Sequence, residues 1–319
     1  MFSKRTKIKN AVAGIAAIAI LTAGTTSAIA KTNFPDTKNR VIVFGDSYSD
    51  NGNDYKLTRN RYPNPVAYYN CRFSNGPVWS EYFAKKLGID PADPIHFINF
   101  AYGQAKILEP TSITVHGNPD QQYSIPSFSE EIDSFEKQYS KINASDIVLV
   151  FISTNDFFDI SSTTTKDFFI KAADCQAKEI KRLIEMGAKH IIVLNGRDVT
   201  LSPLAKIVAH TNIRSSDEKK INHYLMNFRN FIQIYNQRLS EKSGDTKEVI
   251  LYDIFAFDTN MTKKMNSKDM CYQNSNGDYQ NVAGSICNNP NQFFYYDRIH
   301  TTSSVNSLLA DDVYRNVYR

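Results

Sequence analysis

The sequence lacks a long hydrophobic run near its start. The first apolar stretch, residues 11–23, is rich in Ala and Ile but short, and Gly24 and Thr25 follow it directly. A transmembrane helix needs about 20 consecutive, predominantly apolar residues. This shortfall argues against a membrane anchor at this position.

The first thirty residues instead show the pattern of a secretory signal peptide. A basic start at residues 4–9 precedes the apolar stretch, and Ala28 and Ala30 are small residues at the positions that signal peptidase reads. We therefore expect residues 1–30 to be removed on export to the periplasm or the extracellular space. Residues 31–319 are then expected to form a single domain.

Beyond residue 30 the chain lacks an excess of charge of either sign. The first thirty residues hold four of the 37 Lys and Arg residues and none of the 33 Asp and Glu residues, so the remainder carries 33 of each. No basic stripe is left that would attract a polyanion. The charge balance therefore argues against nucleic acid as a partner.

Cysteine is scarce, and the four cysteines lack the CxxC spacing of a metal-binding knuckle. An even number of cysteines in an exported chain favours disulfides. A loop rich in Asn and Gly, residues 272–286, separates Cys271 from Cys287, and we predict that these two form a bridge. Cys71 and Cys175 then pair by elimination, with two small buried thiols as the alternative.

The sequence also lacks internal repeats and long low-complexity linkers beyond residue 30. Apolar runs predict strands at residues 41–44, 97–101, 147–152, 190–195 and 249–254. Helical periodicity predicts helices at residues 77–87, 166–186, 216–240 and 303–318. Strands that are apolar on both faces and alternate with helices indicate an α/β fold, in which helices cover both sides of a central parallel sheet.

The first predicted strand ends abruptly at the sequence Gly45-Asp46-Ser47. In a parallel α/β sheet, functional groups gather beyond the carboxyl ends of the strands. A serine in such a turn can expose its hydroxyl and keep its backbone N–H free, as an acyl-transfer nucleophile requires. Ser47 is therefore the candidate nucleophile, and a helix cap is its alternative role.

Two later segments, each following a predicted strand, supply hydrogen-bond donors. Gly103 can bring its backbone N–H close to a substrate because it has no side chain. Asn155 can aim its side-chain amide at the same oxygen. Together with the N–H of Ser47, these groups predict an oxyanion hole, with a turn glycine and an Asx-turn as the alternative roles.

Near the C-terminus, Asp297 and His300 stand three residues apart. This spacing places the two side chains on one side of a turn or helix start. His300 can accept the proton of Ser47 while Asp297 holds the imidazole in the required tautomer. These three residues predict a Ser–His–Asp catalytic triad.

The four segments, in this order and separation, resemble the GDSL or SGNH family of lipases and esterases over nearly all of the exported chain. The resemblance places the family's four defining residues at Ser47, Gly103, Asn155 and His300, and the triad aspartate at Asp297. It also implies a three-layer, flavodoxin-like fold and a reaction that uses neither a metal nor another cofactor.

The chain resembles one branch of the family more than the others. Residues 72–79 look like the exported bacterial branch, which includes lysophospholipases A and glycerophospholipid–cholesterol acyltransferases. The resemblance implies a lysophospholipid or other lipid ester as substrate, a sterol as an acyl acceptor and transient contact with a membrane surface. Ser153 and Thr301 stand where the family commonly has Gly and Pro, which affects local backbone geometry rather than an assigned chemical group.

Two other functions compete with lipid hydrolysis. The same family includes carbohydrate O-acetylesterases, and an exported binding module could retain the fold without the chemistry. The second alternative predicts a missing catalytic group, whereas all five are present. The loop at residues 272–286 also suggests regulation, because a protease could cut it while the disulfide keeps both ends attached. A stapled surface loop without regulatory function is the alternative.

Overall fold

The computed structural model describes residues 39–159, 164–274, 279–280 and 284–318. The predicted signal peptide, residues 1–30, lies outside the described residues. Within the described ranges, no helix combines the length and apolar character needed to cross a membrane.

Short buried strands form the centre of the molecule. The strands are β1 (Val41–Gly45), β2 (Phe97–Asn99), β3 (Thr111–Val115), β4 (Gln121–Ile125), β5 (Ile147–Phe151), β6 (His190–Leu194), β7 (Val249–Tyr252), β8 (Asn266–Met270) and β9 (Phe293–Tyr295). Five of them make a parallel sheet in the order β2-β1-β5-β6-β7. Counted along the chain within that sheet, the order is 2-1-3-4-5, which is the flavodoxin-like arrangement.

Helices connect the strands of this sheet. They are α1 (Asn53–Leu57), α2 (Trp79–Lys86), α3 (Phe128–Tyr139), α4 (Thr154–Phe158), α5 (Lys166–Glu185), α6 (Pro203–Ile213), α7 (Glu218–Ser243), α8 (Ile254–Met261) and α9 (Ser303–Tyr318). Helices α3, α5 and α7 share one apolar cluster with one face of the sheet, and α2, α8 and α9 share a second cluster with the other face. The predicted three-layer α/β fold is confirmed.

The sheet is buried because its strands are apolar at consecutive positions. Every residue of β1 and β5 is buried, and alternate side chains of each strand enter opposite apolar clusters. A strand that is covered on both faces has no solvent-facing side, so it reads as a continuous apolar run. All five predicted strands of the central sheet occur at their expected places.

The sequence did not predict the antiparallel pair β3–β4. This hairpin is rich in Thr, Ser and Gln, and four of the five residues of β4 are not buried. Such a strand has only a weak apolar signal. The hairpin nevertheless matters for the site, because it is hydrogen-bonded to the loop that packs against His300, the candidate catalytic histidine.

The cysteines behave as predicted at one pair and not at the other. Cys271 and Cys287 form a disulfide, as predicted. The predicted Cys71–Cys175 pairing is wrong, because both thiols are free. Cys71 lies in the loop after α1, where its thiol interacts with Tyr55, whereas Cys175 is in the middle of α5 among the side chains of another layer.

Candidate active site

Ser47 lies immediately beyond β1 in a tight, buried turn. The carbonyl of Asp46 accepts the N–H groups of Ser49 at 2.9 Å and Asp50 at 3.0 Å, and its carboxylate accepts the N–H of Tyr48 at 3.1 Å. Among the described residues, the N–H of Ser47 has no acceptor. The turn therefore leaves that one donor available.

Gly45 allows this turn to form. A Cβ atom at Gly45 would lie 2.3 Å from the carbonyl oxygen of Phe151, the last residue of β5. The N–H of Asp46 then donates to the same carbonyl at 3.1 Å. Only glycine permits so close an approach of the two strand ends, which fixes where Ser47 emerges.

The structure brings together the three predicted triad residues. Ser47 Oγ lies 2.8 Å from His300 Nε2, and His300 Nδ1 lies 2.7 Å from Asp297 Oδ2. All three side chains are buried or nearly so. A hydroxyl bonded to an imidazole that is bonded to a carboxylate is the arrangement that serine hydrolases use to activate the nucleophile.

Several donors converge on Asp297. Its Oδ1 accepts the backbone N–H groups of Ile299 at 2.9 Å and His300 at 2.8 Å, and the Tyr68 hydroxyl donates to Oδ2 at 3.0 Å. Burial opposes ionisation of this carboxyl, but His300 and the two N–H groups hold its pKa below the usual value. Asp297 is therefore an anion that can orient and stabilise the imidazolium of His300.

The N–H of Gly103, which the sequence predicts as an oxyanion donor, is bonded within the protein. Its N–H donates to Asp50 Oδ2 at 3.1 Å, so the group is already committed within the protein. The N–H groups of its neighbours Tyr102 and Ala105 are also bonded, to the carbonyls of Gly45 and Tyr102. Within the described residues, the N–H of Gln104 has no acceptor.

Asn155 lies at the start of α4, beyond the end of β5, as predicted. Its Nδ2 donates to the carbonyl of Ala105 at 2.9 Å, which ties α4 to the segment that contains Gln104. The next residue, Asp156, braces the same segment by accepting the N–H groups of Ile107 and Leu108. An amide nitrogen carries two hydrogens, so Asn155 retains one further donor.

Four fully buried carboxyl groups lie around the Ser47 turn, and none of them was predicted from the sequence as a site residue. They are Asp46, Asp50, Asp54 and Glu131. Burial raises the pKa of Asp46 to about 6 and the pKa values of Asp54 and Glu131 well above their usual range. The run of Asp residues after β1 was a usable signal, whereas Glu131 lies on α3, distant in sequence, and gave none.

Aromatic rings enclose the imidazole of His300. The ring centroids of Phe73, Tyr48 and Tyr279 lie 5.0, 5.5 and 5.5 Å from that of His300. Tyr279 belongs to the loop closed by the Cys271–Cys287 disulfide. The loop therefore reaches the candidate active site.

Two described residues of that loop are anchored to the rest of the protein. Asn64 donates through its backbone N–H to the carbonyl of Tyr279 at 2.8 Å and through its side chain to that of Gln280. The Gln280 side chain also bonds to backbone groups of His116 and Thr114, which belong to the hairpin β3–β4 and its turn. Tyr279 and its neighbour Gln280 are thus both bonded to other parts of the protein.

A sheet of this order with a Ser–His–Asp arrangement at its carboxyl edge defines an α/β protein of the serine hydrolase type. The model of the GDSL-like lipase/acylhydrolase family matches residues 41–313. This chain belongs to that family, whose members are ester-hydrolysing enzymes.

Two curated relatives and one solved structure show similarity along the chain. Thermolabile hemolysin of Vibrio parahaemolyticus is 25% identical over 87% of this chain and 63% of its own length. Phosphatidylcholine-sterol acyltransferase of Aeromonas hydrophila is 30% identical over 52% of this chain and 47% of its own length. The chain therefore spans less than two thirds of either relative. A lipolytic protein of the G-D-S-L family from Veillonella parvula has a TM-score of 0.43 and 10% identity, over 88% of this chain and 97% of that chain.

Proposed function

We propose that this protein is an exported serine esterase that hydrolyses acyl esters of lipids, with single-chain lysophospholipids as its preferred substrates. The observation that carries the chemistry is the continuous hydrogen-bonded chain from Ser47 through His300 to Asp297, at 2.8 and 2.7 Å. The preference for lipids rests on the resemblance to the lysophospholipase branch and on the similarity to a hemolysin and a phosphatidylcholine-sterol acyltransferase.

The reaction follows from the geometry in two halves. Ser47 Oγ attacks the ester carbonyl carbon while its proton passes to His300 Nε2, and Asp297 stabilises the resulting imidazolium. His300 then protonates the departing alcohol, which leaves an acyl-enzyme. Water attacks the acyl-enzyme with His300 as the base, Ser47 recovers its proton, and the fatty acid leaves.

We assign the oxyanion to the N–H of Ser47, the N–H of Gln104 and the free hydrogen of the Asn155 amide. Gln104 replaces Gly103 as backbone donor because the N–H of Gly103 is already bonded to Asp50. The backbone of Gln104 is left-handed, with φ of 64°, and its side-chain Nε2 donates to the Tyr62 hydroxyl at 2.9 Å. A non-glycine residue held in this region costs free energy and is common where a turn must present a functional group.

Acyl transfer uses the same acyl-enzyme. If the hydroxyl of a sterol replaces water in the second half, the product is a sterol ester instead of a free fatty acid. The sterol acyltransferase from Aeromonas hydrophila supports this extension. Export through the predicted signal peptide and transient contact with a lipid surface would give the enzyme access to both substrates.

A hydrolysis profile of the purified exported protein tests this proposal. Lysophosphatidylcholine, a diacyl phosphatidylcholine and an acetylated xylo-oligosaccharide are compared, each with and without cholesterol and with Ser47→Ala as control. We expect the fastest release from the lysophospholipid and no release by the variant. Preferred release of acetate would support a carbohydrate O-acetylesterase, and no release from any ester would indicate a binding module.

We further propose that the disulfide-closed loop restricts the site and that a protease relieves this restriction. The contact of Tyr279 with His300 and the anchoring of Gln280 support the idea. Limited proteolysis, followed by comparison of hydrolysis rates and of substrate range before and after cleavage, tests it. If the hydrolysis rate and the substrate range are unchanged after cleavage within residues 272–286, the loop is a disulfide-closed surface loop without regulatory function.

A further inference from the structure

Arg197 is a buried cation that has no part in the steps above. It follows β6 at the carboxyl end of the sheet, and only 3% of it is exposed. Its Nε and Nη2 donate to the two carboxylate oxygens of Asp258 on α8, at 2.9 and 2.8 Å. A two-pronged pair of this kind fixes the plane of the guanidinium as well as its position.

The guanidinium lies over the ring of Tyr48, with 4.1 Å between Arg197 Cζ and the ring centroid. Tyr48 directly follows Ser47 in the chain. Buried cations over aromatic faces attract them strongly because no water competes for either partner. Arg197 therefore restrains the ring next to the nucleophile.

Tyr48 also restrains the other half of the Ser–His pair. Its hydroxyl donates to the carbonyl oxygen of Ile299 at 2.7 Å, and Ile299 directly precedes His300. The rings of Tyr48 and His300 lie 5.5 Å apart. One side chain thus connects the turn that carries Ser47 with the turn that carries His300.

We infer that Arg197 is a positioning residue for the proposed ester hydrolysis: held by Asp258, it fixes Tyr48 and thereby the alignment of Ser47 with His300. The inference rests on the proposed function. Arg197 contacts the Tyr48 ring and acts through it. Lysine cannot reproduce this role fully, because an ammonium group has neither the flat face nor the paired donors of a guanidinium.

The chain offers a matched control at the opposite end of the sheet. Arg40 precedes β1, bonds through Nε to both carboxylate oxygens of Asp146 at 3.1 Å, and lies 5.6 Å from the ring centroid of Tyr139. This pair has the same chemistry, and among the described residues it contacts no triad residue. Comparing variants of Arg40 and Arg197 therefore separates a loss of protein stability, expected from both, from a loss of the alignment of Ser47 with His300, expected only from Arg197.

The test compares Arg197→Met, Arg197→Lys, Tyr48→Phe and Arg40→Met. Each variant is assayed with p-nitrophenyl butyrate for kcat and KM, with a fluorophosphonate for the rate at which Ser47 displaces fluoride, and for Tm. We expect Arg197→Met to lower kcat and the labelling rate by about 10- to 100-fold with KM changed by less than about threefold. Arg197→Lys should fall between it and the wild type.

Tyr48→Phe keeps the ring beneath Arg197 and removes only the bond to Ile299. It should lower kcat by several-fold with little change in Tm, whereas Arg40→Met should lower Tm and leave kcat within about twofold of the wild type. If Arg197→Met does not fold, Arg197→Lys and Tyr48→Phe decide the question.

Equal kcat values for the Arg197 variants and Arg40→Met, together with an unaffected Tyr48→Phe, would overturn the positioning role while leaving the proposed function intact. A wild-type protein that is neither labelled nor active on any ester would overturn the proposed function and this role with it.

Discussion

At the amino end of the sheet, Arg40 and Asp146 join the starts of β1 and β5, and Tyr139 lies beside the guanidinium. At the carboxyl end, Arg197 and Asp258 form a similar pair beside Tyr48. The first pair connects two neighbouring strands and is partly reached by solvent, whereas the second is almost fully buried and connects a loop with α8.

The difference lies in what the aromatic partner touches. Tyr139 is at the end of α3 and packs against Phe135 and Phe100 of the core. Tyr48 touches Ile299 and His300 of the candidate site. The same interaction therefore serves packing at one end and orientation of reactive groups at the other. Four measurements test this difference between the two ends of the sheet.

The largest effect is expected at the nucleophile. Ser47→Ala should lower kcat for ester hydrolysis by on the order of 10⁴-fold or more, because no acyl-enzyme can form. Its Tm should stay close to that of the wild type, since within the described part of the chain the hydroxyl bonds only to His300. Substantial retained turnover in Ser47→Ala would refute the mechanism.

The amino end should respond in stability instead. Asp146→Ala leaves Arg40 without its carboxylate and should lower the free energy of unfolding by about 2–3 kcal/mol, measured by urea denaturation. The folded variant should keep its kcat, because the change is at the far end of the sheet from Ser47. A large fall in kcat at unchanged stability would erase the contrast between the two ends.

A smaller effect is expected from the hydroxyl that donates to Asp297. Tyr68→Phe removes the 3.0 Å bond to Oδ2 and should lower kcat by about tenfold, since hydrogen bonds to charged groups contribute about 1.5–3 kcal/mol. KM should change little, because the ring remains in place. Tyr139→Phe is the matched control at the amino end, and its kcat should equal that of the wild type.

The smallest effect is the pH dependence of stability, which should come from the carboxyl end. Burial raises the pKa of Asp46 to about 6 and that of Asp156 to about 7, so the folded state binds protons that the unfolded chain releases above pH 4. The two protonated carboxyl groups contribute their full stabilisation below about pH 4, and this stabilisation is lost as the pH rises through 6 and 7. Half-buried His190, whose pKa burial lowers, opposes this trend.

We therefore expect Tm to rise by a few degrees as pH falls from about 7 to about 5. Differential scanning calorimetry across this range measures it, and Asp46→Asn should flatten the curve. A Tm that falls steadily over the same interval would contradict the prediction.

The fold and the Ser47–His300–Asp297 arrangement could be predicted from the sequence because each depends on a local signal. The central strands are continuous apolar runs, and two of these runs are followed by Ser47 and Asn155. The other two site residues, Asp297 and His300, are recognisable by their spacing of three positions. Parallel strands bring their carboxyl ends to a single edge, so positions distant in sequence could be expected to meet there.

The parts that were not predicted depend on contacts without a sequence pattern. Whether Gly103 or Gln104 keeps a free N–H is decided by Asp50, whose carboxylate accepts one of them. The free state of Cys71 and Cys175 is decided by the layers in which they lie. The pairing of Arg197 with Asp258 likewise could not be predicted, because the two residues are 61 positions apart and no spacing pattern relates them.

The anchored loop has a consequence for any cleavage within it. Because Cys271 and Cys287 are bonded, a single cut produces two ends that both stay attached to the protein. Tyr279 would remain tethered beside His300, at an effective local concentration on the order of millimolar. A cleaved loop would then act as an intramolecular competitor of the substrate, so that removing the Asn64 anchor or reducing the disulfide should raise the rate further than the cut alone.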